Sequence, residues 1–235
     1  MTELSVAELQ DKLKLLRVQK DIGGEIATLR SLGSAFQKNR QFTKAVSCLG
    51  SALKLSRNNA DLPARALAHA HLGCAYWEMA QLEKALTQFK QALEILKQFP
   101  DQAGQTGLLT LMGISCWRKC KWEDGLAFFE EVRDLRQADA QAGVPERAKN
   151  STAFFSGALE RAVVTLENRV RLGRGQGNAL KTLQPLFALI PLYLFTARKS
   201  ETDVLLSEAA SLADQLHKND IQSAILKLKV LIARW

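Results

Sequence analysis

The chain is poor in the side chains that most chemistry needs. Three histidines, His69, His71 and His217, serve all 235 residues. His69 and His71 stand two apart on one helical stretch, a separation that sends them to different faces. No Ser-His-Asp or Cys-His order stands out, no paired carboxylates occupy a distinctive motif, and no strand leads into a glycine-rich turn. These absences argue against an enzyme, and the expectation is no catalytic residue and no cofactor. Cysteine is also scarce, with Cys48, Cys74, Cys116 and Cys120 only. Charges are scattered through Met1 to Asp21, where an export signal needs a continuous apolar core, so free thiols in a cytoplasmic, reducing compartment are expected. Cys116 and Cys120 have a spacing that would seat two ligands on a helix, yet no histidine or second cysteine pair completes a set. No metal is expected, and both cysteines are read as small buried residues.

Helix breakers are few: 5 prolines and 14 glycines interrupt long stretches rich in Ala, Leu, Lys, Glu and Gln. Helix throughout follows from that composition. Long apolar runs are missing as well. Thr182 to Ala197 is uncharged, but as a helix it reaches only ~24 Å against a hydrocarbon core of about 30 Å. It also holds Pro185 and Pro191, so it is read as a buried, kinked core helix, and no transmembrane span is expected.

What is plentiful is positive charge, with a formal net charge of +8. Its placement is diffuse: the densest group is Arg118, Lys119 and Lys121, and most lysines and arginines alternate with carboxylates. Nucleic-acid binders concentrate such charge on one element, so this charge is read as a solvated face, nucleic acid is disfavoured as a partner, and an acidic or amphipathic protein segment is the expected ligand. Arg169 to Lys181 is basic and glycine-rich, but it lacks the Gly-Lys-Ser/Thr ending of a phosphate loop and reads as an exposed connection.

An internal repeat organises the chain. Three segments align without a gap at a shift of 40 residues. Leu32, Leu72 and Met112 correspond, followed by Gly33, Gly73 and Gly113, and then by Phe36, Tyr76 and Cys116. Phe42, Leu82 and Trp122 come next, then Ala45, Ala85 and Gly125, then Leu49, Phe89 and Phe129. Ala52, Ala92 and Val132 follow, and Leu55, Ile95 and Leu135 close the unit. Amphipathicity alone would fix hydrophobic character, not this alternation of small with large. The physical reading is close approach of two antiparallel helices where side chains are nearly absent, with Gly33, Gly73 and Gly113 facing Ala45, Ala85 and Gly125.

This order of Leu-Gly, aromatic, small, large and small residues resembles the tetratricopeptide repeat, in a branch with units longer than the usual ~34 residues. The extra residues are assigned to a longer second helix and to the connections Asn58 to Pro63 and Gln98 to Gly104. The resemblance implies an all-α, right-handed α-solenoid of antiparallel helix pairs with capping helices. It divides the chain into an N-terminal capping helix (1–24), three repeats (25–64, 65–104 and 105–138) and a diverged C-terminal helical part (139–235).

In the flanks, Ser5 with Glu8 makes a capping-box pattern for a helix that Gly23 and Gly24 would end. Gln137 to Pro145 reads as a loop, and a long helix follows from Glu146 until Gly173. Ser200 is a candidate N-cap for the helix from Glu201 to Leu216.

In the resembled family the first helix of each pair lines a concave surface that receives a peptide or helix of a partner protein. Carried over position by position, that groove is lined by Arg30, Ser34, Gln37 and Lys38, by His71, Cys74, Trp77 and Glu78, and by Thr110, Ile114, Trp117 and Arg118. Trp77 and Trp117 share a repeat position and are the expected aromatic anchors. The family's clamp for chaperone tails is disfavoured, since its positions here hold Arg30, Ser34, His71, Gly107 and Leu111, of which only Arg30 has suitable chemistry. At the end of the chain, Ile225, Leu228, Ile232 and Trp235 form an apolar stripe that suits either core closure or self-association. The functional reading is a protein-interaction scaffold or adaptor. An assembly factor or chaperone for a larger complex, membrane-associated or not, is the alternative, a nucleic-acid-associated protein using its basic surface is the second, and the oligomeric state is left open.

Overall fold

A computed structural model describes residues 4–99, 101–142, 149–195 and 198–233, and leaves the side chains of 139–156, 195 and 199 outside the description. Eleven helices and no strand occur among the described residues. They fall into two compact units, Met1–Asp101 and Gln102–Trp235.

The first unit holds α1 (Val6–Gln19), α2 (Ile22–Lys38), α3 (Phe42–Asn58), α4 (Leu62–Glu78) and α5 (Leu82–Leu96). Each helix packs on the next, and α2 also touches α4. The first four helices end at regular intervals because a left-handed residue follows each one: Lys20, Arg40, Ala60 and Ala80 have φ between 53° and 59°. The following amide then reaches back to close the end, as in Asp21 N–H to Leu16 O at 3.0 Å and Gln41 N–H to Phe36 O at 2.8 Å. The next helix starts at once. Asp21 and Asp61 cap α2 and α4 by accepting from Gly24 N–H and Ala64 N–H, both at 2.9 Å. Gln41 and Gln81, at the starts of α3 and α5, make no such side-chain bond.

Two expectations change here. The long period is not stored in connections, since α2, α3 and α4 are each 17 residues and the links between them are short. Gly23 and Gly24 do not end α1; they lie in the first turn of α2, where a side chain at Gly24 would strike the Asp21 carboxylate.

The small residues also meet partners beyond those expected. A Cβ at Gly33 would lie 2.6 Å from Leu49 Cγ, and at Gly73 and Gly113 it would sit still closer to the rings of Phe89 and Phe129. The hole left by each glycine is therefore filled by the large side chain of the partner helix. Ala45 and Ala85 are fully buried beside these contacts. In the third repeat the two small positions meet as expected, since a Cβ at Gly125 would come 3.2 Å from Gly113 O.

The second unit holds α6 (Gln102–Arg118), α7 (Trp122–Ala142), α8 (Lys149–Gly175), α9 (Ala179–Phe195), α10 (Lys199–Gln215) and α11 (Asn219–Ala233). The pairs α6 with α7, α8 with α9 and α10 with α11 pack together, and α9 also packs on α10. In addition, α6 lies against both α8 and α9. The expected loop from Gln137 is helical through Ala142, while residues 143–148 lie outside the described residues. The helix α10 starts at Lys199 with Arg198 as an N-cap that makes no side-chain bond, so Ser200 does not cap it.

The uncharged stretch forms α9, which runs through both prolines and is buried along its described length from Leu186 to Leu194. No described helix is long and apolar enough to cross a membrane. Each proline removes one N–H and bares the carbonyl four residues earlier. For Pro191 that carbonyl is Phe187 O, which accepts the indole N–H of Trp117 at 3.0 Å. For Pro185 it is Lys181 O, against which Gly173 sits so closely that a Cβ there would be 2.8 Å away.

Candidate functional site

Of the twelve expected groove residues, eight lie in the first unit and four in the second. In the first unit, Arg30, Ser34 and Gln37 follow one another at helical spacing on α2, and His71, Cys74, Trp77 and Glu78 do so on α4. The two helices are tied across this face by Ser34 Oγ and His71 Nδ1, 3.2 Å apart. Arg30 is half-buried, and burial holds its guanidinium below the usual arginine range, with Asp61 acting in the opposite sense. Lys38 is exposed, while Cys74 and Trp77 are buried.

The electrostatics of this face are unusual in one respect. Gln37 is only 2% exposed, and both atoms of its side-chain amide are buried without a hydrogen-bond partner. Arg30 Nε is in the same condition. Such atoms cost free energy unless a further group pairs with them. An amide that both donates and accepts, two helical turns along α2 from a guanidinium donor, is of a kind that pairs with the C=O and N–H of an extended peptide.

In the second unit the expected groove residues have become core. Thr110 donates its hydroxyl to Thr106 O at 2.8 Å, and Ile114 has no exposed surface. Trp117 is 1% exposed and sits in an aromatic cluster, with ring centroids 5.2 Å from Trp122, 5.6 Å from Phe129 and 5.0 Å from Phe187. The expectation of open aromatic anchors is corrected: Trp77 and Trp117 are both buried, and α9 meets the indole of Trp117 with a carbonyl of its own. Arg118 remains half-buried at the end of α6. Burial first, and Arg169 second, push its guanidinium down to about 10.

For the terminal stripe, core closure is the reading that fits the described residues. Ile225 and Leu228 are buried within the chain's own fold and Ile232 is half-buried, while Trp235 lies outside the described residues. The outward face of α11 carries Leu226 and Val230 instead. None of the four cysteines is in a disulfide; Cys116 is buried, but Cys120, expected to be buried as well, is exposed in a left-handed turn. No group of side chains fit to hold a metal ion occurs among the described residues. His69 is buried with Nδ1 2.8 Å from Gln88 Oε1, and burial holds its pKa low, so it is a packed core histidine.

Sequence reasoning missed Arg169 as a neighbour of Arg118, because the two are far apart along the chain. It also missed the Trp117 contact, although the offset from Pro191 to Phe187 was a usable signal.

Helix pairs at a fixed spacing, joined by left-handed closures and locked by glycine holes, define an all-α helical-repeat protein of the solenoid class. Residues 25–98 match the model of the tetratricopeptide repeat. The backbone of the chain is similar to that of BtubC (BKLC) from P. vanneervenii, with a TM-score of 0.54 at 12% identity over 98% of this chain and 90% of the other. It is also similar to the apo form of RapI, with a TM-score of 0.52 at 12% identity over 98% and 77% of the two chains. A Rap protein solved in complex with Competence and Sporulation Factor gives a TM-score of 0.54 at 14% identity, over 97% of this chain and 58% of that one. At these identities the likeness concerns the fold alone. No curated protein matches the chain in sequence.

Proposed function

We propose that this chain is a non-enzymatic, cytoplasmic scaffold that receives an extended segment of a partner protein on the α2–α4 face of its first unit. The observation that carries the reading is the half-open α2–α4 face, where Arg30 and Ser34 keep access to solvent and the covered Gln37 amide, two helical turns from Arg30, would gain a partner if a bound segment displaced its cover. Arg30, Ser34 and His71 extend the same polar strip, so a bound segment would meet donors and acceptors along several residues. A repeat fold similar to that of a Rap protein solved with Competence and Sporulation Factor is compatible with this role. The assembly-factor alternative leaned on the apolar stretch now seen as α9, whose described apolar residues are spent on the chain's own core.

The test is selection of peptides from a random display library on the full chain, followed by titration against variants. Arg30→Ala and Gln37→Leu should each weaken the selected peptides by about tenfold, the worth of a buried hydrogen bond or two, while the far-UV spectrum stays unchanged. Peptides that bind both variants as well as the parent would place the site elsewhere.

A further inference from the structure

The outward side of α1 was not among the expected sites. We propose that it is a contact between two copies of this chain, in which α1 of one copy lies antiparallel along α1 of the other.

Helical spacing defines the side. Leu9, Leu13 and Leu16 are buried and set the core side of α1. Ala7, Asp11, Lys14 and Val18 recur at intervals of four, three and four on the opposite side, with Leu15 beside them, and all five are exposed. Val18 is 81% exposed and Leu15 is 56% exposed, although both are aliphatic. This spacing is that of the narrow seam along which two helices pack.

Register selects the occupant. A two-fold axis crossing α1 between Lys12 and Leu13 sets Asp11 of each copy against Lys14 of the other, and Val18 of each against Ala7 of the other. Each acid meets a base, and each large aliphatic meets the smallest side chain of the seam, so all four positions are matched at once. The same register carries the exposed Leu4 of one copy toward the start of α2 in the other, where Ile22 is exposed as well. Any partner helix must present small, acid, base and large side chains in reverse order, and a second copy does so by symmetry.

Asp11 and Lys14 already meet within one chain, Nζ to Oδ1 at 2.8 Å, with side chains 74% and 76% exposed. That contact does not close the site. A pair so exposed is worth little, and it leaves the second carboxylate oxygen and the remaining ammonium N–H groups for the other copy. Two acids and two bases then alternate across the axis. A seam of one helix from each copy is small, under the ~1,200 Å² of a stable complex, so the dimer is weak and depends on concentration.

The experiment is sedimentation equilibrium of the full chain over about a hundredfold range of concentration, with the far-UV spectrum as the check on folding. The parent should pass from monomer to dimer. Val18→Glu, at a position the fold does not bury, should weaken the dimer by about tenfold or more. Asp11→Lys and Lys14→Asp each turn the cluster to one sign and should each stay monomeric. An equimolar mixture of these two variants should associate about as well as the parent, because each acid again meets a base, and added salt should weaken that association. A parent that stays monomeric throughout overturns the proposal, even where it retains a foreign protein that Val18→Glu releases. So does a dimer that Val18→Glu leaves intact, or a mixture of the two charge variants that stays monomeric. The proposal is independent of the α2–α4 site: Arg30→Ala and Gln37→Leu should leave the dimer unchanged, and Val18→Glu should leave peptide capture unchanged, so failure of one reading is distinguishable from failure of the other.

Discussion

The helices α2 and α6 occupy the same place in successive repeats, yet one is half-open and the other is enclosed. In α2 the buried set is confined to Ile26, Thr28, Leu29, Leu32, Gly33, Phe36 and Gln37, and Arg30, Ser34 and Lys38 retain access to solvent. In α6 every residue from Gly107 to Trp117 is buried. The glycine-hole device is common to both, so close packing within a helix pair does not explain the difference. What differs is the covering. In the second unit α8 and α9 lie against α6, and the carbonyl bared by Pro191 meets the indole that the repeat pattern places there. The same repeat position therefore serves as core in one unit, at Trp117, and carries an unpartnered amide in the other, at Gln37. A smaller contrast points the same way: Lys44 lies over the ring of Phe36 and Lys84 over that of Tyr76, while the matching third positions, Cys116 and Asp124, have lost both ring and cation.

The comparison can be broken first at the feature the two units share. Phe89→Ala and Phe129→Ala each empty a glycine-lined hole and should cost about 3–5 kcal/mol by chemical denaturation. A much smaller loss in one unit would show that the hole is not a common device. Next in size, Trp117→Phe leaves Phe187 O buried without its donor and should cost about 1–3 kcal/mol. In a Pro191→Ala background the helix supplies its own N–H to that carbonyl, so the added cost of Trp117→Phe should shrink, and a double-mutant cycle measures the coupling. Strict additivity would sink the link between the proline and the indole.

Gln37→Leu should act with the opposite sign. Removing an unpartnered buried amide should be neutral or stabilising, by up to about 1–2 kcal/mol, and should at the same time weaken peptide capture by about tenfold. A destabilised variant would mean that Gln37 is a structural residue. The smallest effect is expected at the helix ends. Ala60→Gly and Ala80→Gly relieve a left-handed backbone that alanine adopts poorly and should raise stability by about 0.5–1 kcal/mol each. A lowered melting temperature would mean that the entropy added to the unfolded chain outweighs the strain removed.

Much of this was legible in the residue order. The 40-residue register located Gly33, Gly73 and Gly113 and predicted close packing there, and composition predicted helix from end to end. The register paired small with small, which the Gly113–Gly125 contact bears out, but it did not foresee that the tightest contact of each of these glycines is with Leu49, Phe89 or Phe129. The long period was also misplaced into connections. A sequence-level sign of the true helix starts was present in Asp21, Asp61 and Asp101, each 40 residues from the last.

By itself, the sequence determined the class of protein: a local grammar of small and large side chains at fixed spacing suffices, since each helix pair is a short-range object. Which copies of that grammar stay open was decided only by tertiary structure. Trp117 and Gln37 hold equivalent positions, and nothing local distinguishes a filled site from a vacant one. The distinction arises because a distant proline bares a carbonyl on α9 and the chain folds it onto α6, a contact between residues that no periodicity connects.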